Sequence, residues 1–228
     1  VIDNDPGASG AEIARRDGVT YVVESEAGIA AVRNRALTEL GHEGVVVFID
    51  DDEVPEAGWL AALYGRYRES DADAVAGRVV TEFPEHTEAW VRASGAFIRP
   101  PRIDGQPMVE AATNNLLLDL ATVSRFGLRF DAAFGLTGGS DSMFTSRFAA
   151  LGGRIVWCDD AVVVEREDPV RFTRGWVLMR TFRFGNTWSR VRIALADSTW
   201  RRVVARLRCV AAGGARIAIG GGQWLAGA

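Results

Sequence analysis

The chain contains no lysine: all 26 of the basic side chains among its 228 residues are arginine. Chemistry that needs a lysine amine, such as Schiff-base formation, is therefore excluded. There are only two cysteines, Cys158 and Cys209, and two histidines, His42 and His86, none of them set in a partner pattern. Without a Cys-x-x-Cys or a Cys/His cluster, neither a disulfide framework nor a structural zinc site can be assembled. No apolar run reaches the ~18 residues that a membrane-spanning helix requires. Internal repeats and low-complexity stretches are also missing. Hydrophobic residues at 48% and charged residues at 25% are ordinary for a globular chain, which removes disordered and fibrous architectures.

What charge there is lies unevenly. Residues 1–170 carry 15 arginines against 29 carboxylates, a balance of −14, and residues 171–228 carry 11 against Asp197 alone, a balance of +10. This division predicts an acidic body over 1–170 and an arginine-rich helical extension over 171–228. The first residues, Val1-Ile2-Asp3, have no methionine and no charged leader before an apolar stretch. They read as a strand entered part-way, so a preceding first strand is expected to be missing.

Apolar runs alternate with helical periodicity, which predicts an α/β domain. Val45–Ile49 is the strongest strand, and its unbroken apolarity predicts burial on both faces, as in a mostly parallel sheet with helices on either side. Further strands are expected at Val19–Val23, Ala74–Thr81, Thr113–Leu118, Arg154–Cys158 and Ala161–Glu165. Helices are expected at Ala11–Asp17, Gly28–Leu40, Trp59–Tyr67 with Pro55 opening it, Leu120–Phe126 and Asp141–Leu151. The proline-rich stretch 82–110 reads as an irregular excursion. In 200–211, Trp200, Val203, Val204, Leu207, Val210 and Ala211 share one helical face flanked by Arg201, Arg202, Arg206 and Arg208. Such a face suits an anionic membrane surface, and equally a helix packed on the domain with solvated arginines. Six glycines break the last 17 residues too often for an assignment.

Four clusters could carry chemistry. Asp50-Asp51-Asp52 ends the strongest strand, where open α/β sheets bind their ligands. Alternate residues there can present Asp50 and Asp52 to one site, and hard oxygen donors of this kind suit Mg²⁺ or Mn²⁺ held jointly with a diphosphate. The same acids could instead cap the following helix. Gly138-Gly139-Ser140-Asp141 brings a glycine-rich backbone to a helix start, either as a cap or as a ligand approach. Asp3-Asn4-Asp5 is by itself a turn signal, and Arg33-Asn34 by itself a surface pair.

Taken in order, these clusters resemble one family. Asp3 after an opening strand, GIAAVRNRAL at 28–37, VVVFIDDDEVPEAGWL at 45–60 and GGSDSMFTSRFAALGGRIVWC at 138–158 are similar to the family 2 glycosyltransferases of GT-A fold. The resemblance implies an inverting, metal-dependent enzyme that takes a nucleotide-sugar donor and a glycan or lipid-linked acceptor in cell-surface polysaccharide or glycolipid synthesis. By it, Asp3 would recognise the base, Asp50 and its neighbour Asp51 the nucleotide, Asp52 the metal (Mg²⁺ or Mn²⁺), and Asp141 would be the catalytic base. Arg33, Gly139 and Ser140 fall in the implied substrate site, with Ser140 standing where the family usually has glutamate. MRTFRFGN resembles the family's arginine-bearing element near diphosphate or acceptor, which implicates Arg180 and Arg183.

Two other readings fit parts of the sequence. Ile49-Asp50-Asp51-Asp52-Glu53-Val54 matches the first motif of haloacid-dehalogenase-type phosphatases, with Asp50 as nucleophile. The downstream lysine normal to those enzymes is missing here. A catalytically degenerate nucleotide-binding or membrane-docking module is the non-enzymatic alternative. Nucleic acid is not expected, because the arginines lie on a helical tail without interleaved aromatics. The family setting implies a cytoplasmic protein, peripheral on the inner face of the plasma membrane.

Overall fold

The computed structural model describes residues 1–15 and 18–226. The expected helix end at Asp17 lies outside the described residues. The elements in order are β1 (Ile2–Asp3), α1 (Ala11–Ala14), β2 (Val22–Val23), α2 (Ile29–Leu40), β3 (Val45–Ile49), β4 (Glu53–Pro55), α3 (Trp59–Glu69), β5 (Ala74–Thr81) and α4 (Ala89–Ala93). They continue with β6 (Pro107–Met108), β7 (Asn115–Asp119), α5 (Leu120–Arg125), α6 (Ser140–Ala150), β8 (Ile155–Glu165), α7 (Arg174–Ala194) and α8 (Thr199–Ala226).

The α/β expectation holds, with a mixed pairing pattern inside the main sheet. Its order is β3-β7-β5-β8-β4, with β6 also on β8. Strands β5 and β8 pair in parallel, while β7 runs antiparallel to both β3 and β5. The long strands β3, β5 and β8 therefore point the same way, and β7 is the inserted opposite strand. Strands β1 and β2 form a separate parallel pair.

Alternation along these strands builds two layers. Val46, Ala76, Leu116, Leu118 and Ile155 face α2, α5 and α6 through Leu37, Val123, Phe144 and Phe148. Val75, Leu117 and Val156 face α3 through Leu63. Leu116, Leu117 and Leu118 are all fully buried, and at roughly 1.5–3 kcal/mol each this one strand anchors both layers. The uninterrupted apolarity of β3 has the same cause, since Val46 serves one layer while Val45 and Val47 serve the other.

The two strands expected at 154–158 and 161–165 are one bulged strand. Gly77 sits opposite Cys158 but Arg78 sits opposite Val162, so β8 carries extra residues at that step. Asn115, buried on β7, satisfies the bulge by donating to the carbonyls of Arg78 and Ala161 at 3.0 and 2.8 Å, and it accepts from Trp59 Nε1 at 2.8 Å. Glycine is required at 77, because a Cβ there would lie 2.3 Å from Asn115 Nδ2 and 2.5 Å from the Ala161 carbonyl.

Other expectations shift in detail. Pro55 ends the short strand β4 instead of opening a helix, and Gly58, at φ +85°, starts α3. The excursion at 82–110 contains α4 and β6. The glycine-broken end continues in α8 to Ala226. Two compact units are present, Val1–Thr181 and Phe182–Ala228. The first extends past the residue 170 expected from charge, because Phe172 and Val177 pack with Val91 and Phe97 in a third apolar cluster. No helix among the described residues is long and apolar enough to cross a membrane.

Candidate active site

The turn after β3 and the start of α6 bring together residues about 90 positions apart in sequence. Arg33, on α2, joins them. Its side chain is only 9% exposed, yet Nη2 lies 3.7 Å from Asp50 Oδ1 and Nη1 donates to Ser140 Oγ at 3.3 Å. The guanidinium also stands 5.5 Å over the ring of Phe130, which stacks on Phe144 of α6. Burial pulls its pKa below the usual arginine value, against the opposing charges of Asp141 and Asp50. A cation retained under that cost is held by the carboxylates around it.

Those carboxylates share one electrostatic neighbourhood. Burial pushes Asp50 above the ordinary range; Arg33 lowers it, and Asp52, Asp141 and Asp51 each raise it further. Asp52 is raised as well, by burial first and then by Glu165 and Asp51, with Arg171 opposing. Asp50 is thus repelled by both Asp52 and Asp141, which a cation or a cation-bound ligand beside it would relieve. Asp51 is solvent-exposed at the tip of the turn.

Approach to Asp141 depends on glycine. Gly138 and Gly139 have φ of +84° and +92°, a left-handed pair that other residues rarely adopt, and Gly139 caps α6. Asp141 then falls in the first helical turn, where its Oδ1 accepts from the Ser142 amide at 2.8 Å. Ser140 is 1% exposed. It faces Arg33 inside the protein.

Beneath the turn lies a pair of buried acids. Glu53 and Glu165 are register partners on β4 and β8, an arrangement that costs energy if both are charged. They resolve it differently. Burial raises Glu53 to about 8, and its carboxyl accepts from Asn114 Nδ2 at 2.6 Å and from the Asp50 amide at 3.2 Å. Burial would raise Glu165 also, but Arg99 at 3.0 Å and the Thr81 hydroxyl at 2.8 Å hold it below its usual value. Glu53 therefore pins the Asp50 backbone as a neutral group, while Glu165 adds a negative charge near Asp52.

A second chain of charges leads outward from Asp52. Arg171 Nη1 lies 3.7 Å from Asp52 Oδ2 and 3.2 Å from Glu167 Oε2. Glu167, whose side chain is 1% exposed, also takes Arg180 Nη1 at 2.6 Å. Arg180 is fixed further by the Ala96 carbonyl at 3.2 Å and by the Phe97 ring. Its link to Asp52 thus runs through Glu167 and Arg171.

Not every expected residue joins this cluster. Both oxygens of Asp3 are turned to its own loop: they accept from Tyr21 Oη at 2.6 Å, the Asp5 amide at 2.8 Å and the Gly10 amide at 2.9 Å, which hold it below the usual carboxylate range. Its neighbour Asn4 reaches α2, accepting from the Gly28 amide at 2.9 Å. Arg183 is exposed and belongs to the second unit. Sequence reasoning passed over Glu53, Asn114, Glu165, Glu167 and Arg171. The alternating acids of VEREDP at 164–169 were the available signal for two of them.

Among the described residues, no three histidine, cysteine, aspartate or glutamate side chains converge into a metal cage. Asp52 nevertheless offers a hard oxygen donor, 35% exposed, paired with the similarly exposed Arg171. Magnesium-type ions bind to one or two carboxylates, with phosphate oxygens and water completing the shell. The donor chemistry at Asp52 fits such an ion.

Comparison with known proteins bears on the family and the fold. The profile of the family described as Glycosyl transferase family 2 matches residues 1–130, a span that includes Asp3, Arg33 and the whole Asp50–Glu53 turn. The succinoglycan biosynthesis protein ExoM of Rhizobium meliloti (strain 1021) is 29% identical over 173 residues, covering 76% of this chain and 56% of that protein. The chain thus spans about half the length of the curated relative it matches. Among solved structures, GalNAc-T7 with UDP, GalNAc and Mn²⁺ superposes with a TM-score of 0.57 at 12% identity, over 77% of this chain and 38% of that one. Residues 1–349 of S. aureus TarS in complex with UDP superpose with a TM-score of 0.55 at 14% identity, over 90% and 58%. These likenesses establish the shared fold.

Proposed function

Because the chain belongs to glycosyl transferase family 2, we propose that it transfers a sugar from a nucleotide-diphosphate donor to an acceptor hydroxyl, with inversion, in polysaccharide or glycolipid synthesis. One observation carries the reading: Asp50 lies within electrostatic reach of both Asp52 and Asp141, with buried Arg33 against it. The relative named for succinoglycan biosynthesis and the neighbours solved with UDP support it.

Each residue then has a role. Asp50, fixed through its amide by Glu53, receives the nucleotide, with exposed Asp51 at the tip of the same turn. Asp52 would hold Mg²⁺ or Mn²⁺, which when bound supplies positive charge against the leaving diphosphate. Arg171, tethered by Glu167, adds a second positive group on that side. Asp141 accepts the proton of the acceptor hydroxyl while its oxygen bonds to the anomeric carbon, and the bond from that carbon to the diphosphate breaks. Arg33 sets a positive charge beside Asp50 and Asp141. Asp3 orders the loop before α1, so it would contribute to base recognition by shaping that loop. Arg180 positions Glu167. This reading goes with a cytoplasmic setting, on the inner face of the plasma membrane where lipid-linked acceptors lie, and with no nucleic acid partner.

A panel of nucleotide sugars, each incubated with the protein and Mn²⁺ or with EDTA, tests the proposal. Release of nucleoside diphosphate from one donor, lost in EDTA, is expected. Calorimetric binding of a nucleoside diphosphate with no turnover of any donor would favour the degenerate nucleotide-binding reading, and neither binding nor turnover would overturn the proposal. Phosphatase activity on an aryl phosphate would favour the haloacid-dehalogenase alternative.

A further inference from the structure

The unit Phe182–Ala228 has eight arginines and a single carboxylate, Asp197. Within it, α8 separates two faces. Its less exposed residues are Val204, Ala205, Cys209 and Ala212, mostly small side chains. The large apolar ones point outward: Trp200, Val203, Leu207 and Val210 are 72%, 39%, 63% and 74% exposed. Steps of three and four residues place these four on one stripe. Arg201 and Arg208 project beside one edge of the stripe, and Arg206 beside the other, all exposed. Asp197 is engaged by Arg201 at 2.8 Å, and among the described residues no carboxylate pairs with Arg202, Arg206 or Arg208.

We infer that this face of α8 docks on an anionic lipid bilayer, lying in the plane of the headgroups with Trp200, Leu207 and Val210 inserted. Charge selects this occupant. A second copy meeting the same face across a two-fold axis would set arginine rows against arginine rows, whereas phosphate headgroups neutralise them. The stripe is too short, and the helix too polar, to span the membrane, and a basic amphipathic helix with tryptophan on its apolar side is built for the interface. The inference stands apart from sugar transfer, because binding can be measured without donor.

The test is co-sedimentation of the full chain with vesicles of phosphatidylcholine alone or with one-quarter phosphatidylglycerol, in low and high salt. Binding to the anionic vesicles at low salt is expected, with little binding to the neutral ones. Arg206→Gln/Arg208→Gln should weaken it roughly 25-fold, at about fivefold per arginine near the surface. Leu207→Asp/Val210→Asp should weaken it more than tenfold, with helicity by circular dichroism unchanged. Equal binding to both vesicle types, or undiminished binding by either double variant, would overturn the proposal. So would self-association in sedimentation velocity that Leu207→Asp/Val210→Asp abolishes, because the face would then belong to a second copy.

Discussion

Replacing Arg171 with alanine is expected to move two affinities in opposite directions. Its guanidinium lies 3.7 Å from Asp52 and 3.2 Å from Glu167, with 38% of the Arg171 side chain and 35% of Asp52 exposed. An ion pair this accessible to water contributes about 0.2–1 kcal/mol. Freeing Asp52 should therefore raise its affinity for Mn²⁺ by at most about fivefold. The diphosphate, however, loses a charged hydrogen-bond donor, an interaction of about 1.5–3 kcal/mol, so affinity for a nucleoside diphosphate should fall by about 10- to 150-fold. Folding should barely change, because Glu167 keeps Arg180 at 2.6 Å. Electron paramagnetic resonance of Mn²⁺ without nucleotide measures the first affinity, and calorimetric titration of UDP measures the second. Arg171→Lys should keep part of the diphosphate affinity. If both affinities of Arg171→Ala drop together, or UDP binding stays at the wild-type level, Arg171 is a structural residue and the reasoning fails.

Glu53 makes stability depend on pH. Its folded pKa of about 8 lies above the ordinary 4.5, so its contribution is complete below pH 4.5 and is lost as pH rises through 8. Melting temperature should decline between pH 5 and 8 in the wild type and less steeply in Glu53→Gln; parallel curves would refute the assignment. Asn115→Ala strands the Trp59 indole and two carbonyls at the β8 bulge, and a loss of about 2–4 kcal/mol in urea unfolding is expected. A loss under about 0.5 kcal/mol would show that water replaces the side chain. Gly77→Ala forces a Cβ to within 2.5 Å of the Ala161 carbonyl; soluble protein with wild-type stability would contradict the close approach.

Hydrophobic pattern made the layers legible, since β3 and β5 are strands with the expected bounds and α2 is a helix one residue shorter than expected. The antiparallel β7 was hidden, because a strand buried on both faces reads the same in either direction. Likewise, 154–165 looked like two strands: Asp159-Asp160 interrupts the apolar run, and only the side chain of Asn115 shows that the break is a bulge. In the site, adjacent acids made Asp50 and Asp52 conspicuous, and the glycine pair flagged Asp141. Arg33 gained a definite place only through contacts spanning 107 residues. Arg171 was obscured by a uniformly arginine-rich segment, where composition drew attention to Arg180 and Arg183. Asp3 was read as pointing at a ligand, but local hydrogen bonds claim its carboxylate, and such bonds have no sequence periodicity to betray them.

Asp141→Asn tests the central claim most directly. Asparagine retains the acceptor for the Ser142 amide at the start of α6 but cannot take a proton from the acceptor hydroxyl. With a donor identified, nucleotide binding by calorimetry should remain within about twofold of wild type, while transfer falls by the 10²- to 10⁴-fold typical of a lost general base. Transfer at the wild-type rate by Asp141→Asn would contradict the account.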